Sequence, residues 1–358
     1  MDGGRRAVRR RASAVPRERP LTMDTMRAAR LHVPSRTLTV EDVPKPAPGP
    51  GQVRVKVEAA GVCLSDVHLI DGTLSPLYLE GETVTLGHEV AGTVDAVGEG
   101  VTGWQPGTRV VLQAGESRDG TTYTRGVDYD GGWAEYALAT ATTLVPLPDA
   151  IPFDQASIIP DAVSTPWAAI TGTGDVRPGE AVGVWGVGGL GAHGVQLLRA
   201  IGAYPVVAVD PAPAARERAL AFGADAALDA ADPELRAKVL ALTGGTGLAA
   251  AFDFAGVPAV REQALTVLGP KGRLVLVGLT AHPLTVANGT LFSYLQQQIR
   301  GHYGSDEHHV PQLVALTGGG RLDFSRSVSG VLPLEEAAEA VRRTETKEGD
   351  PVRLVLRP

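Results

Sequence analysis

From Ala181 to Asp210 the chain reads AVGVWGVGGLGAHGVQLLRAIGAYPVVAVD, and few folds accommodate such a stretch. AVGVWGV has the length and branching of a buried strand. Gly186, Gly188 and Gly191 follow in the spacing GxGxxG, with Gly189 beside them, and Gly189 to Ile201 then reads as a helix. PVVAVD is a second strand ending on Asp210, which lies 210 − 191 = 19 residues after the last glycine. A strand that turns through glycines into a helix aims backbone N–H groups and the positive helix end at one point, which suits a pyrophosphate. An acid at the Asp210 position suits adenosine ribose hydroxyls and repels a 2′-phosphate, so the pattern predicts NAD in preference to NADP. Two plainer readings compete: a Rossmann-like domain without a nucleotide, and Asp210 as a helix cap. Arg216 nearby would tolerate a phosphate.

The alternation continues through AARERALAFGA, AAAFDFAG, REQALTVLG and GRLVLVGL, which predicts a doubly wound parallel sheet. From Met26 to about Ala150 the pattern differs. MRAARLHV, TLTVEDV, QVRVKVEAAGV, VAGTVDAVG and RVVLQA are short Val- and Thr-rich runs separated by Gly and Pro, as in an irregular barrel. After about His302 come one more helix, LEEAAEAVRR, and a last strand, VRLVLRP. A length of 358 residues exceeds one hydrophobic core, so two domains are expected. The polar run from Ala114 to Gly132 reads as a surface lobe.

A net charge of −7 argues against a nucleic-acid partner. No apolar run approaches the roughly 18 residues that span a bilayer. One cysteine forms no internal disulfide and nothing suggests secretion, so a cytoplasmic protein is expected. Residues 1–25 are arginine-rich without apolar periodicity. They read as a disordered extension or a misplaced start, with Met23 or Met26 as the real one.

That single cysteine, Cys63, lies in GVCLSDVH with Ser65, Asp66 and His68 behind it. A lone cysteine is ordinarily a small buried apolar residue. Downstream, however, stand His88 and Glu89 in TLGHEVAG, and Asp161 in SIIPDAVST. Thiolate, imidazole and carboxylate would make three ligands of a catalytic zinc, which needs a fourth, open position. Spacing alone does not identify such a site.

Taken together, GVCLSDVH, GHEVAGTVDAVGEGV, GGWAEY and GVWGVGGLGAHGVQLLRAIGA resemble the zinc-dependent medium-chain alcohol dehydrogenases, in the right order from about Met26 to Pro358. The resemblance implies an α/β protein: a GroES-like β-barrel catalytic domain (26–162 and 304–358) and a Rossmann NAD-binding domain (163–303). It implies Cys63, His88 and Asp161 as ligands of one catalytic zinc, with aspartate where many members have a second cysteine, as in bacterial secondary alcohol dehydrogenases. Glu89 matches the acid behind the metal, Asp66 the partner of the zinc-bound histidine, Ser65 the hydroxyl that takes the substrate proton, and His68 the outer histidine of that relay. Thr165, Val277 and Leu279 match positions around the nicotinamide, and Arg353 an arginine that meets the pyrophosphate. The implied reaction is reversible oxidation of a primary or secondary alcohol to an aldehyde or ketone, in a homodimer or homotetramer.

Two departures stand out. Many members bind a second, structural zinc through four cysteines, and the corresponding QAGESRDGTTYTRGVDYDGG has none, so no structural zinc is expected. Its Glu116, Asp119, Asp128 and Asp130 read as a solvated loop. Leu64 stands where some members carry a basic residue against the cofactor phosphates. The secondary-alcohol relatives often prefer NADP, against the local argument from Asp210. A polyol dehydrogenase, a zinc-free quinone or enoyl reductase, and a nucleotide-binding protein without turnover are the alternatives. Leu64, Trp104, Leu112 and Trp167 are apolar candidates for the substrate pocket.

Overall fold

The computed structural model describes Met1, Gly3 and residues 24–358, so the expectation for residues 1–25 falls outside the described residues except at its end, where Thr25 is already paired with Pro44 in a strand. The β-rich half is built on Gln52–Val62, whose Val53, Val55 and Val57 alternate inward. This strand pairs antiparallel with Val90–Val97, Tyr136–Thr140 and Arg353–Arg357. Two register shifts against Val90–Val97 bend it, as β-bulges do. Leu144–Pro146, Arg109–Leu112 and Val328–Pro333 complete a seven-stranded sheet. Thr37–Pro44, Thr25–His32 and Thr83–Thr85 form a three-stranded sheet.

The other half is a six-stranded parallel sheet. Its spatial order is Ala226–Leu228, Val206–Val209, Val182–Trp185, Leu248–Asp253, Leu268–Leu276, Gln298–Gly301. The strand order reverses between Val182–Trp185 and Leu248–Asp253, which opens a crevice at their carboxyl ends. The glycine-rich turn leaves Val182–Trp185 there and enters the helix Gly189–Ala200. The strand Ala226–Leu228 and the helix Leu235–Leu242 were not foreseen from the sequence.

Between the halves runs a helical segment whose turns widen to π geometry at Ile159–Val163 and Ala169–Thr173. One continuous apolar cluster joins Ile158, Ile159 and Ile170 to Ala59 and Ala91 of the barrel and to Val184 and Phe252 of the parallel sheet. Asp161 is therefore carried on a wall shared by both halves.

The run Ala114–Gly132 is not the solvated lobe expected. It folds as a hairpin, Gly115–Arg118 with Thr121–Thr124. Asp128 accepts hydrogen bonds from the N–H groups of Leu77, Tyr78 and Thr124 at 3.1, 3.1 and 2.8 Å. Arg125 is fully buried and donates to the carbonyls of Gln113 and Leu138. Asp130 accepts from Thr85 N–H, and Glu116 from the Thr140 hydroxyl. Asp128 and Arg125, the two buried charges, are thus satisfied by backbone groups, as buried polar groups must be.

Candidate active site

Cys63 leaves Gln52–Val62 and caps the helix Leu64–Asp71. The Asp66 carboxylate accepts Cys63 N–H at 2.9 Å, which fixes the turn, and its other oxygen lies 3.5 Å from His88 Nδ1. His88 Nε2 lies 3.5 Å from Asp161 Oδ2, and Cys63 Sγ lies 3.4 Å from the same oxygen. Cys63, His88, Glu89 and Asp161 each bring one donor atom into a group spanning no more than 4.8 Å. The fold thus brings together three chain segments whose sequence spacing gave no clue to their meeting.

Glu89 is wholly buried. One carboxylate oxygen accepts Arg353 Nη2 at 2.8 Å and Ala162 N–H at 3.1 Å. Arg353 Nη2 also stands 3.5 Å from Cys63 Sγ and 3.6 Å from Asp161 Oδ2. The arginine expected at the pyrophosphate therefore sits among the candidate metal ligands. It reaches the glycine turn as well: a Cβ on Gly189 would lie 2.6 Å from its Nη1.

Burial pushes the Glu89 carboxyl up to about 7, against the pull of Arg353. Burial also acts on Asp161, but hydrogen bonding to His88 and the His88 and Arg353 charges hold it well below the usual carboxylate range. Burial opposes a charged His88, yet the Asp66 charge and hydrogen bonding to Asp161 raise it well above the usual histidine range. Four buried polar atoms here have no hydrogen-bond partner: Asp66 Oδ1, His88 Nδ1, Glu89 Oε2 and Arg353 Nε. The first two face one another at 3.5 Å, and the metal position is marked instead by the convergence of the Cys63 thiol, His88 Nε2 and the Asp161 carboxylate.

Ser65 Oγ stands 3.5 Å from Cys63 Sγ, and His68 follows three residues later, half-buried on the same helix face. The Thr165 hydroxyl donates to Asp161 Oδ1 at 2.8 Å. His302, not expected as a site residue from the sequence, lies 3.1 Å from the Thr165 carbonyl through Nε2 and 2.8 Å from the Thr173 hydroxyl through Nδ1. Its one signal was its place directly after the strand Gln298–Gly301. Also missed was His193, fully buried, whose Nδ1 meets the Gly189 carbonyl at 2.6 Å.

In the glycine turn, a Cβ on Gly191 would fall 1.8 Å from the Gly186 carbonyl oxygen, so only glycine fits. At Gly188, by contrast, nothing lies within 4 Å of a Cβ position. The turn is closed on one side and open on the other. Asp210 accepts Val187 N–H at 2.8 Å and Ala212 N–H at 2.9 Å. Arg216 is held by the carbonyls of Asp210 and Pro211. Val277 is buried and Leu279 exposed, on the loop after Leu268–Leu276. Of the pocket candidates, Leu112 is buried in the barrel core and Trp104 packs against it, donating to the Ala141 carbonyl. Leu64 is partly exposed.

Trp167 faces an open cleft of about 1100 Å³, with His302, Tyr303 and Gln312. Asp306, His308 and His309 converge there too. Asp306 N–H is bonded to His309 Nδ1 at 2.9 Å, so neutral His309 keeps its proton on Nε2 and has no free lone pair for a metal.

Residues 49–149 match the alcohol dehydrogenase GroES-like domain, and residues 189–342 match the zinc-binding dehydrogenase domain. An NDMA-dependent alcohol dehydrogenase of Amycolatopsis methanolica is 32% identical, over 92% of this chain and 98% of its own. An NAD-dependent alcohol dehydrogenase of Sulfurisphaera tokodaii is 30% identical, over 89% and 96%. The crystal structure of 2R,3R-butanediol dehydrogenase from Bacillus subtilis superposes with a TM-score of 0.86 at 26% identity, covering 93% of this chain and 99% of that one.

Proposed function

The chain belongs to the zinc-dependent medium-chain alcohol dehydrogenase family and is an NAD-dependent alcohol or polyol dehydrogenase, and from that premise we propose how its residues divide the work. Cys63, His88 and Asp161 would hold one catalytic zinc, with Glu89 behind it. Zinc, when bound, supplies a Lewis acid beside the substrate hydroxyl. Asp66 orients His88 through Nδ1 and fixes which ring nitrogen faces the metal position. Ser65 takes the hydroxyl proton, and His68 passes it to solvent. Arg353 neutralises Glu89 and keeps a carboxylate available under the metal position.

NAD supplies the hydride acceptor. The open side of the Gly186–Gly191 turn and the helix end at Gly189 would receive its pyrophosphate. Asp210 would hold the adenosine ribose and disfavour a 2′-phosphate. Thr165, Val277 and Leu279 would flank the nicotinamide. We assign residues 26–162 and 304–358 to the catalytic domain and 163–303 to the cofactor domain. One metal suffices in this reading, because Asp128 and Arg125 already brace the lobe from Ala114 to Gly132. The substrate is a small alcohol or its carbonyl product, and the working form is a homodimer or homotetramer in the cytoplasm. No helix among the described residues is long and apolar enough to cross a membrane.

The observation that carries this reading is the convergence of one ligand atom each from Cys63, His88, Glu89 and Asp161 within 4.8 Å. Elemental analysis after dialysis without chelator should find a single zinc per chain. A panel of primary alcohols, secondary alcohols and vicinal diols should then yield NADH with at least one member. A protein purified with zinc available that retains none would overturn the metal assignment.

A further inference from the structure

Two loops leave the parallel sheet side by side at the crevice, one after Leu248–Asp253 and one after Leu268–Leu276. They touch backbone to backbone. A Cβ on Gly278 would fall 2.3 Å from the Gly256 nitrogen, and one on Gly256, at φ 69°, would fall 2.6 Å from the Leu279 carbonyl oxygen. Asp253, the last residue of its strand, ties the two together. Its carbonyl accepts Val277 N–H and Gly278 N–H at 2.9 and 2.8 Å. Its carboxylate Oδ1 accepts Ala255 N–H and Gly256 N–H, each at 2.9 Å.

Arg261 completes the arrangement from the helix Pro258–Leu265. Its Nε donates to Asp253 Oδ2 and its Nη2 to the Gly278 carbonyl, both at 2.6 Å. The two side chains are buried, that of Asp253 fully and that of Arg261 to 7% exposure. Apolar residues of the same volume often match a buried ion pair in stability, so stability alone is a weak reason for this one. Its geometry is a better one. A guanidinium is a rigid fork, and here the carboxylate sets one prong while the other fixes a carbonyl. That carbonyl lies between Val277 and Leu279. Among the described residues the Val277 carbonyl and the Leu279 N–H have no hydrogen-bond partner. The loop is thus gripped at its middle residue, with an acceptor and a donor left free on either side of the grip.

We propose that Arg261 is a positioning residue for the nicotinamide: without touching the cofactor, it and Asp253 clip the two loops together and set where Val277 and Leu279 stand against the ring. The proposal rests on the cofactor reading above. Both bonds of the clip are charge-assisted, and so stronger than neutral ones. Releasing the Gly278 carbonyl would let the loop drift, and small misplacements of a group that orients a reacting ring are costly. The adenosine and pyrophosphate ends of the cofactor lie against other elements, so the effect should be confined to the nicotinamide end.

The test compares NADH with ADP-ribose, which lacks the nicotinamide, by calorimetry on the zinc-loaded full chain. Two variants are used. Asp253→Asn with Arg261→Met removes both charges and keeps an oxygen for the Ala255 and Gly256 N–H groups. Arg261→Lys keeps the charge beside Asp253 but loses the fork, and it decides the matter if the double variant does not fold. Each should weaken NADH about tenfold, as the loss of one charge-assisted bond would, and leave ADP-ribose within about twofold. The fluorescence that NADH gains on binding, which reports a held ring, should fall in parallel. Unchanged NADH affinity and fluorescence overturn the proposal. So does an equal loss for ADP-ribose, which would mark Arg261 as a support of the fold only. A wild-type chain that binds NADH no more tightly than ADP-ribose, or binds neither, would instead overturn the cofactor reading on which the proposal stands.

Discussion

Acid should weaken this fold most at His193. It is fully buried on the helix Gly189–Ala200, with Nδ1 against the Gly189 carbonyl and no partner for Nε2. Burial, and after it the Arg353 charge, push its pKa down to about 3. An unfolded chain would protonate the same ring at about 6.5. Because the folded value is depressed, its neutral form contributes full stability above pH 6.5, and that stability drains away as pH falls toward 3. The whole gap is worth roughly 5 kcal/mol, and about 2 kcal/mol of it disappears between pH 7.5 and pH 5. His193→Asn keeps an N–H donor for the Gly189 carbonyl and removes the titration. Urea unfolding followed by tryptophan fluorescence, at both pH values, gives the comparison. His193→Asn is expected to be less stable than wild type at pH 7.5, because it leaves a cavity, yet to lose about 2 kcal/mol less on acidification. Equal losses in the two proteins would refute the reasoning and place the acid sensitivity elsewhere.

Three further outcomes follow from the same geometry. Ser65→Ala should lower the rate of alcohol oxidation about 100-fold or more while zinc content and NADH affinity stay at wild-type levels, as single-turnover kinetics and elemental analysis would report. Asp128→Ala strands the N–H groups of Leu77, Tyr78 and Thr124 and should destabilise the protein by roughly 2–4 kcal/mol in urea, with chelator making no further difference to the lobe. Asp210→Ser should raise the ratio of NADP to NAD specificity at least about tenfold in kcat/KM; an unchanged ratio would remove Asp210 from the ribose site.

Sequence and fold agree best where local pattern carries the information. The run AVGVWGVGGLGAHG specifies a strand, a turn in which Gly191 admits no side chain, and a helix within a few residues of one another, and the structure has each of them. Ala226–Leu228 was illegible because three residues carry no period, and Leu235–Leu242 because its apolar residues form no clear stripe. The lobe from Ala114 to Gly132 was misread for another reason. Its acids and arginines look like solvent-facing charge, and only the fold reveals that Asp128 and Arg125 are spent on buried backbone groups. At the site, Cys63, His88 and Asp161 could be named through resemblance, but their approach to 3.4–3.5 Å depends on contacts too distant in sequence to show as a pattern. His302 follows the end of a strand, where no motif marks it.

The pairing of Arg353–Arg357 with the Ala60–Val62 end of Gln52–Val62 has a consequence for synthesis. On the ribosome, the parallel sheet is contiguous from Val182 to Gly301 and can assemble once that stretch has emerged. The barrel is translated first and closed last, because one of its inner strands arrives 290 residues after Cys63. Until then Ala60–Val62 lacks its partner, and the chain's only thiol, immediately beyond it, has no arginine over it. An unpaired edge beside a bare cysteine is where a nascent chain is open to mispairing and oxidation. The pace of elongation beyond Gly301 sets how long that window lasts, and the half of the molecule made second is the surface on which the half made first completes itself.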